Sequence, residues 1–180
     1  ALLHEVSATP KPGLVDRQNS GSHTDMDFST FVDSSVSLAG SFQEMFRIGW
    51  DGAALSRSML FDRLRFAGQK AEAAMLRSTG GGNTHKGAIF SMGILCGALG
   101  RLERQAWGDS DRVLAQCAAM TRGLTARDFA GLTPETARTA GQKLYLRYGV
   151  TGVRGQAEAG FPAVGKIGLP KLEAALSQGK

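Results

Sequence analysis

F-S-T-F-V-D-S-S-V-S-L-A-G-S-F-Q-E-M-F, residues 28–46, sets Phe28, Phe31, Val32, Leu38, Ala39, Phe42, Met45 and Phe46 at intervals of three and four. That spacing gathers the apolar side chains on one face of an α-helix and would scatter them over both faces of a strand. Two further segments read the same way. Between Ser58 and Arg77 the stripe is Leu60, Leu64, Ala67, Ala71, Ala74 and Met75, and from Lys86 to Arg104 an Ala/Gly/Ile/Leu-rich run predicts a helix buried nearly all round. In that run Gly93 and Gly97 leave room for a neighbouring helix. Ser110 is read as the cap of a helix carrying Val113, Leu114, Cys117 and Ala118, which stops before Gly123. Thr133-Pro134-Glu135 reads as an N-cap with proline in the first turn, opening a helix that closes at Tyr148 on Gly149. A last helix starts near Leu169 or Pro170. Residues 8–27, 49–55, 79–85 and 149–168 are read as irregular, and no period of repeats occurs. The expected fold is all-α, a single multi-helix globular domain over residues 1–180 with long functional loops.

The 180 residues, 42% hydrophobic and 21% charged, suffice for one buried core and exclude disorder or a disulfide miniprotein. Cys96 and Cys117 form no C-x-x-C pair and fall in apolar helical patterns, so they read as buried thiols of a reducing, cytoplasmic compartment. The longest apolar stretch, Ala88 to Leu99, is interrupted and falls short of the roughly 20 residues that span a bilayer, so no membrane association is expected. Lys and Arg number 21 against 16 for Asp and Glu, a net charge of +5. These cations are scattered and aromatics are only 7%, which argues against nucleic acid and for a small phosphorylated ligand.

Four segments concentrate chemistry. Pro10 to Asp27 is a proline-stiffened loop in which His23, Asp25 and Asp27 alternate; in an extended chain they share a side, and two neighbouring carboxylates suit Mg²⁺. Asp27 would equally well cap the helix at Phe28, leaving Asp25 to solvent. Arg65, Gly68 and Glu72 lie on one helical face beside the apolar stripe, as groups lining a cleft or as a solvated flank. Gly80-Gly81-Gly82-Asn83-Thr84-His85-Lys86 runs a glycine loop into a helix N-terminus, where free amides attract phosphate. A cation there opposes the helix dipole unless an anion lies between them. Glycine-flanked Arg154, in the run from Tyr148 to Pro162, can hold phosphate through two parallel hydrogen bonds or belong to a plain surface loop.

Taken in order, P-K-P-G-L-V-D-R, G-S-H-T-D-M-D-F, L-R-x-x-G-x-x-A-E-x-x-M, T-G-G-G-N-T-H-K-G-A-I-F-S-M-G and Y-G-V-T-G-V-R-G-x-A-E-x-G-F-P resemble the triphosphoribosyl-dephospho-CoA synthase family over nearly the whole chain. The resemblance implies an all-helical transferase that joins ATP to 3′-dephospho-CoA, releases adenine, and so makes the prosthetic-group precursor for the acyl carrier protein of malonate decarboxylase or citrate lyase. Displacing adenine from ribose C1′ passes through an oxocarbenium-like state, which needs a nearby carboxylate, an acid for the leaving base and a base for the attacking hydroxyl. The retained triphosphate needs Mg²⁺ and cations.

On that footing Asp25, Asp27, Glu72 and His23 are the expected catalytic residues, with Asp25, Asp27 and Glu72 also holding metal. Lys11, Arg65, Gly80, Gly81, Gly82, Asn83, Thr84, His85, Lys86, Arg154 and Glu158 are expected to bind ATP and its phosphates. Two features depart from the family pattern. Gln156 stands where Glu is common, and the D-T-N and S-P-G-G-S-A-D segments that follow in the family lie outside this sequence, which also opens without Met inside an expected first helix. The chain is therefore expected to be part of a longer protein. A nucleotide-binding module without catalysis, or transfer to another acceptor, is the competing reading.

Overall fold

The computed structural model describes residues 1–179. Among them there are helices and turns and no strand. In chain order the helices are α1 (Leu2–Ser7), α2 (Phe28–Asp51), α3 (Arg57–Ser78), α4 (Lys86–Arg101), α5 (Ser110–Met120), α6 (Leu124–Phe129), α7 (Ala140–Tyr148), α8 (Gly152–Glu158) and α9 (Leu169–Ser177). A 3₁₀ turn, Arg104–Ala106, and a π-helical turn, Val164–Gly168, complete the regular structure. No helix is long and apolar enough to cross a membrane among the described residues.

The centre is α2, α3 and α4, with α5 and α8 closing one side. Leu38 and Met45 of α2, Leu60, Leu64, Ala67, Ala71 and Met75 of α3, and Ile89, Ile94 and Ala98 of α4 form the main core, joined by Cys117, Met120, Leu124 and Ala157. These include five of the six apolar positions expected between Ser58 and Arg77, but only Leu38 and Met45 of the eight expected in residues 28–46, where Ala39 is exposed. A smaller core of Val6, Val15 and Met26 fastens the N-terminal loop to the start of α2 through Phe28, Phe31 and Val32. Cys117 is fully buried and burial pushes its thiol up to about 12, while Cys96 is partly buried and its thiol is raised by the same cause.

Glycine sets how closely α2 and α4 approach. A Cβ on Gly49 would lie 2.1 Å from the Gly97 carbonyl oxygen, and one on Gly100 would lie 2.0 Å from that of Phe46. Gly93 and Gly97 give room to side chains instead, those of Met45 and Leu64.

Two helix starts and one connection differ from the sequence expectation. The helix ending at Tyr148 begins at Ala140, not after Thr133. Thr139 and Gln142 form a reciprocal capping box, and the Gln142 side chain also accepts from the Arg138 amide, whereas Thr133 closes only a local turn with Thr136. Asp109, one residue before Ser110, caps α5 by accepting from the Arg112 amide at 3.0 Å. Residues 149–168, expected to be irregular, contain α8 and the π-helical turn. Gly149 ends α7 in the left-handed conformation, φ +68°, as its C′ position requires.

Candidate active site

A cleft of about 240 Å³ opens between α3, the start of α4, α6 and α8. Its floor is apolar, from Met45, Phe61, Leu64 and Ile94, and its walls carry Arg65, Glu72, Lys86, Asp128 and Arg154. The helical spacing of Arg65, Gly68 and Glu72 delivers all three to this cleft, and nothing lies within 4 Å of where a Gly68 Cβ would be. Three cations and two carboxylates thus face one concave space over a greasy floor, an arrangement suited to a ligand with a charged and an uncharged half.

Asp128, at the end of α6, bridges two of the cations. Its Oδ1 accepts from Arg65 Nη2 at 2.7 Å and its Oδ2 from Arg154 Nε at 2.8 Å, with the carboxylate side chain only 10% exposed. Burial alone would raise this carboxyl, but the hydrogen bonds and charges of Arg65 and Arg154 outweigh it and hold the group below the usual carboxylate range. Across the cleft the Lys86 ammonium pairs with Glu72 Oε1. This pair is more open than the Asp128 bridge, so a ligand phosphate can take Lys86 from Glu72 at small cost.

The glycine loop stands at the head of α4. Gly80 and Gly81 take φ of +63° and +102°, conformations that L side chains rarely adopt. The first intrahelical bond of α4 runs from the Ile89 amide to the His85 carbonyl at 2.8 Å, so the amides of Lys86, Gly87 and Ala88 precede it. Gly80, Gly81 and Asn83 are exposed, and Gly82 and Thr84 half-buried. His85 points inward: it is 5% exposed, its Nδ1 lies 2.7 Å from Ser34 Oγ, and its ring meets Phe31 edge-on at 5.1 Å. Thr84 Oγ1 donates to the same Ser34 oxygen at 2.7 Å. Burial lowers the His85 pKa, so the neutral ring is favoured, and Nε2 has no partner.

The N-terminal loop is organised by Asp16, a residue that no spacing argument singled out. Its buried carboxylate accepts from Thr9 Oγ1 at 2.6 Å and from the amides of Lys11, Gln18 and Asn19 at 3.0, 2.8 and 3.0 Å, which drives its pKa far below the usual range. Lys11 Nζ pairs with Glu5 at 2.8 Å. His23 Nδ1 lies 3.5 Å from the exposed Asp25. Asp27 caps α2, its Oδ1 accepting from the Thr30 amide at 2.9 Å and hydroxyl at 2.7 Å, and these bonds lower its pKa. Glu158 accepts from the amides of Gly123 and Thr125, at 2.7 and 2.9 Å, and from the Thr125 hydroxyl, so it holds the start of α6.

Among the described residues no three His, Cys, Asp or Glu side chains gather into a metal cage. Glu72 sits in the cleft with Lys86, while Asp25 and Asp27 share the N-terminal loop. Mg²⁺ is commonly held by one or two carboxylates together with substrate phosphates; of the three expected ligands Glu72 alone lines the cleft, and Asp27 keeps Oδ2 outside its capping bonds. Asp128 is a site residue the sequence reading missed. Its partners lie 63 and 26 residues away, and the only local signal is a carboxylate in a short, cation-rich segment.

Over residues 1–180 the chain matches the family model described as ATP:dephospho-CoA triphosphoribosyl transferase. It is 42% identical to a probable 2-(5''-triphosphoribosyl)-3'-dephosphocoenzyme-A synthase of Citrobacter koseri, an alignment covering 100% of this chain and 59% of the relative. It is 40% identical to the synthase of Escherichia fergusonii (96% of this chain, 57% of the relative) and 42% identical to a probable synthase of Lactiplantibacillus plantarum (96% and 61%). The chain thus spans about three fifths of the length of these relatives. No solved structure matches it. With five ordered motifs, an all-helical frame and a family match from end to end, the chain belongs to the ATP:dephospho-CoA triphosphoribosyl transferase family.

Proposed function

We propose that the protein transfers the 5-triphosphoribosyl group of ATP to 3′-dephospho-CoA and releases adenine. The observation that carries this reading is the cleft itself, in which Lys86, Arg65 and Arg154 face Glu72 over an apolar floor. Lys86, the first amides of α4 and the glycine loop 80–84 take the triphosphate, with Arg65 and Arg154 held ready by Asp128. Once phosphate engages Lys86, the Glu72 carboxylate is free to face the ribose and stabilise positive charge at C1′. The bond from C1′ to adenine breaks and one from C1′ to the acceptor 2′-oxygen forms. The hydroxyl proton passes to a carboxylate, and adenine leaves with a proton supplied by an acid. His23, Asp25 and Asp27 are the candidates for these transfers and, with the phosphates, for Mg²⁺, which supplies charge neutralisation when bound. His85 supports the loop from below, Lys11 steadies the N-terminal segment, and Glu158 acts through α6. The product serves an acyl carrier protein of malonate decarboxylase or citrate lyase, in the cytoplasm.

The test is product analysis with the full-length protein, ATP, Mg²⁺ and 3′-dephospho-CoA. Free adenine and an adduct that retains all three donor phosphates are expected. Release of pyrophosphate or ADP without adenine overturns the reading.

A further inference from the structure

A second and larger cavity, about 560 Å³, lies behind the cleft, where the α2–α3 turn meets the end of α4 and the α5–α6 junction. Four arginines line it, Arg57, Arg101, Arg122 and Arg127, and no carboxylate does. They come from three segments of the chain, the start of α3, the end of α4 and the α5–α6 junction, so the concentration of charge is a product of folding. Arg101 is fixed in place: Nη1 and Nη2 donate to the carbonyls of Gly52 and Leu55, both at 3.0 Å. Arg127 is paired with Asp62 at 3.0 Å, outside the cavity lining. Neither Arg57 nor Arg122 has a carboxylate partner among the described residues, and both are exposed at the mouth. The N-terminus of the 22-residue α3 opens on the same space, with the Arg57 and Ser58 amides before its first internal bond. Phe61 and Met120 make the inner wall apolar.

Four guanidinium groups brought together, with a carboxylate partner on Arg127 alone, repel one another, and an anion placed between them lowers that cost. The volume exceeds what one phosphate fills, and the apolar wall calls for an uncharged arm on the same ligand. Phe61 also lines the cleft. The Arg65 guanidinium lies 5.4 Å from its ring centroid and that of Arg127 5.6 Å, so one buried ring borders both cation sets. We infer that the Arg57–Arg101–Arg122–Arg127 cavity is a second phosphate site, which takes a diphosphate ester with an apolar arm next to the nucleoside triphosphate. Resting on the proposed reaction, this ester is the acceptor, 3′-dephospho-CoA. The shared Phe61 wall then sets donor and acceptor side by side.

The experiment is titration calorimetry on the full-length protein with ATP, 3′-dephospho-CoA and inorganic pyrophosphate as separate ligands. The double variant Arg57→Gln/Arg122→Gln alters only exposed side chains, and a melting curve checks that it folds. It is expected to bind 3′-dephospho-CoA and pyrophosphate at least about tenfold more weakly and ATP within about twofold of the parent. Lys86→Met is expected to show the opposite pattern. An unchanged 3′-dephospho-CoA affinity in the folded double variant overturns the site even if adenine is released. Arginine-dependent binding of 3′-dephospho-CoA without adenine release upholds the site and overturns the proposed reaction instead.

Discussion

Lys86 is the residue at which the electrostatics of the cleft can be read most directly. It stands at the positive end of α4, and in the free protein Glu72 supplies the negative partner that this position demands. Lys86→Met keeps the aliphatic stem and removes the charge. Loss of a charge-assisted hydrogen bond to phosphate should weaken ATP binding by about 1.5 to 3 kcal/mol. Loss of the half-exposed pair with Glu72 should change folding stability by less than about 1 kcal/mol. Calorimetry and urea denaturation measure the two separately; equal losses in both would make Lys86 a structural residue.

His85, next to it in sequence, is governed by burial instead. Its folded-state pKa lies below the ordinary 6.5, so the unfolded chain takes up the proton first. Stability should therefore fall as pH drops below about 6.5, until the folded-state pKa is passed. The His85 imidazole resonance should titrate below that value, and His85→Gln should flatten that part of the stability profile. A resonance titrating above 6.5 would contradict the buried, neutral ring.

At the scale of the helix, close packing of α2 on α4 rests on glycines with no side chain to spare. Gly100→Ala improves intrinsic helix propensity by about 1 kcal/mol. Its Cβ would nevertheless meet the Phe46 carbonyl oxygen at 2.0 Å and the Trp50 amide at 2.8 Å, backbone atoms that cannot rotate away. Overpacking should win, lowering stability by about 1 to 3 kcal/mol, whereas Gly40→Ala in α2, with nothing within 4 Å, should gain up to about 1 kcal/mol. Chemical denaturation of the two variants checks the contrast.

The long helices were legible in the sequence because each has to bury a continuous apolar stripe, and period 3.6 states where that stripe is. The short ones were not. α8 has a glycine at each of positions 152 and 155 and buries only Ala157, so its helicity comes from packing rather than from propensity. The start of α7 was misplaced because Thr133-Pro134 and Thr139 both look like caps, and both exchange bonds with the residue three further on, Thr136 and Gln142; only the second turn continues as a helix.

Across the whole molecule, the α3 face could be read as a cleft wall from local spacing, but what closes the cleft could not. Asp128 joins Arg65 of α3 to Arg154 of α8 over separations that leave no periodic trace. Asp128→Asn retains the shape, removes the charge that balances two guanidinium groups, and should cost on the order of 2 kcal/mol in stability. It should also raise the KM for ATP more than it lowers kcat, because the two arginines lose their common anchor. Melting curves and steady-state kinetics test this. A variant as stable as the parent would mean that the arginines find other partners.

The bonds from Glu158 to the head of α6 carry a consequence for the order of assembly. A helix of six residues does not persist in water by itself, and the side chain that satisfies its first amides arrives 35 residues after Gly123. On the ribosome, α2, α3 and α4 can collapse as they emerge, but the wall bearing Asp128 must wait for Glu158 to be synthesised. The cleft wall bearing Asp128 then solidifies after the three-helix core, and a nascent chain halted before residue 158 would hold a cleft floor without its far side.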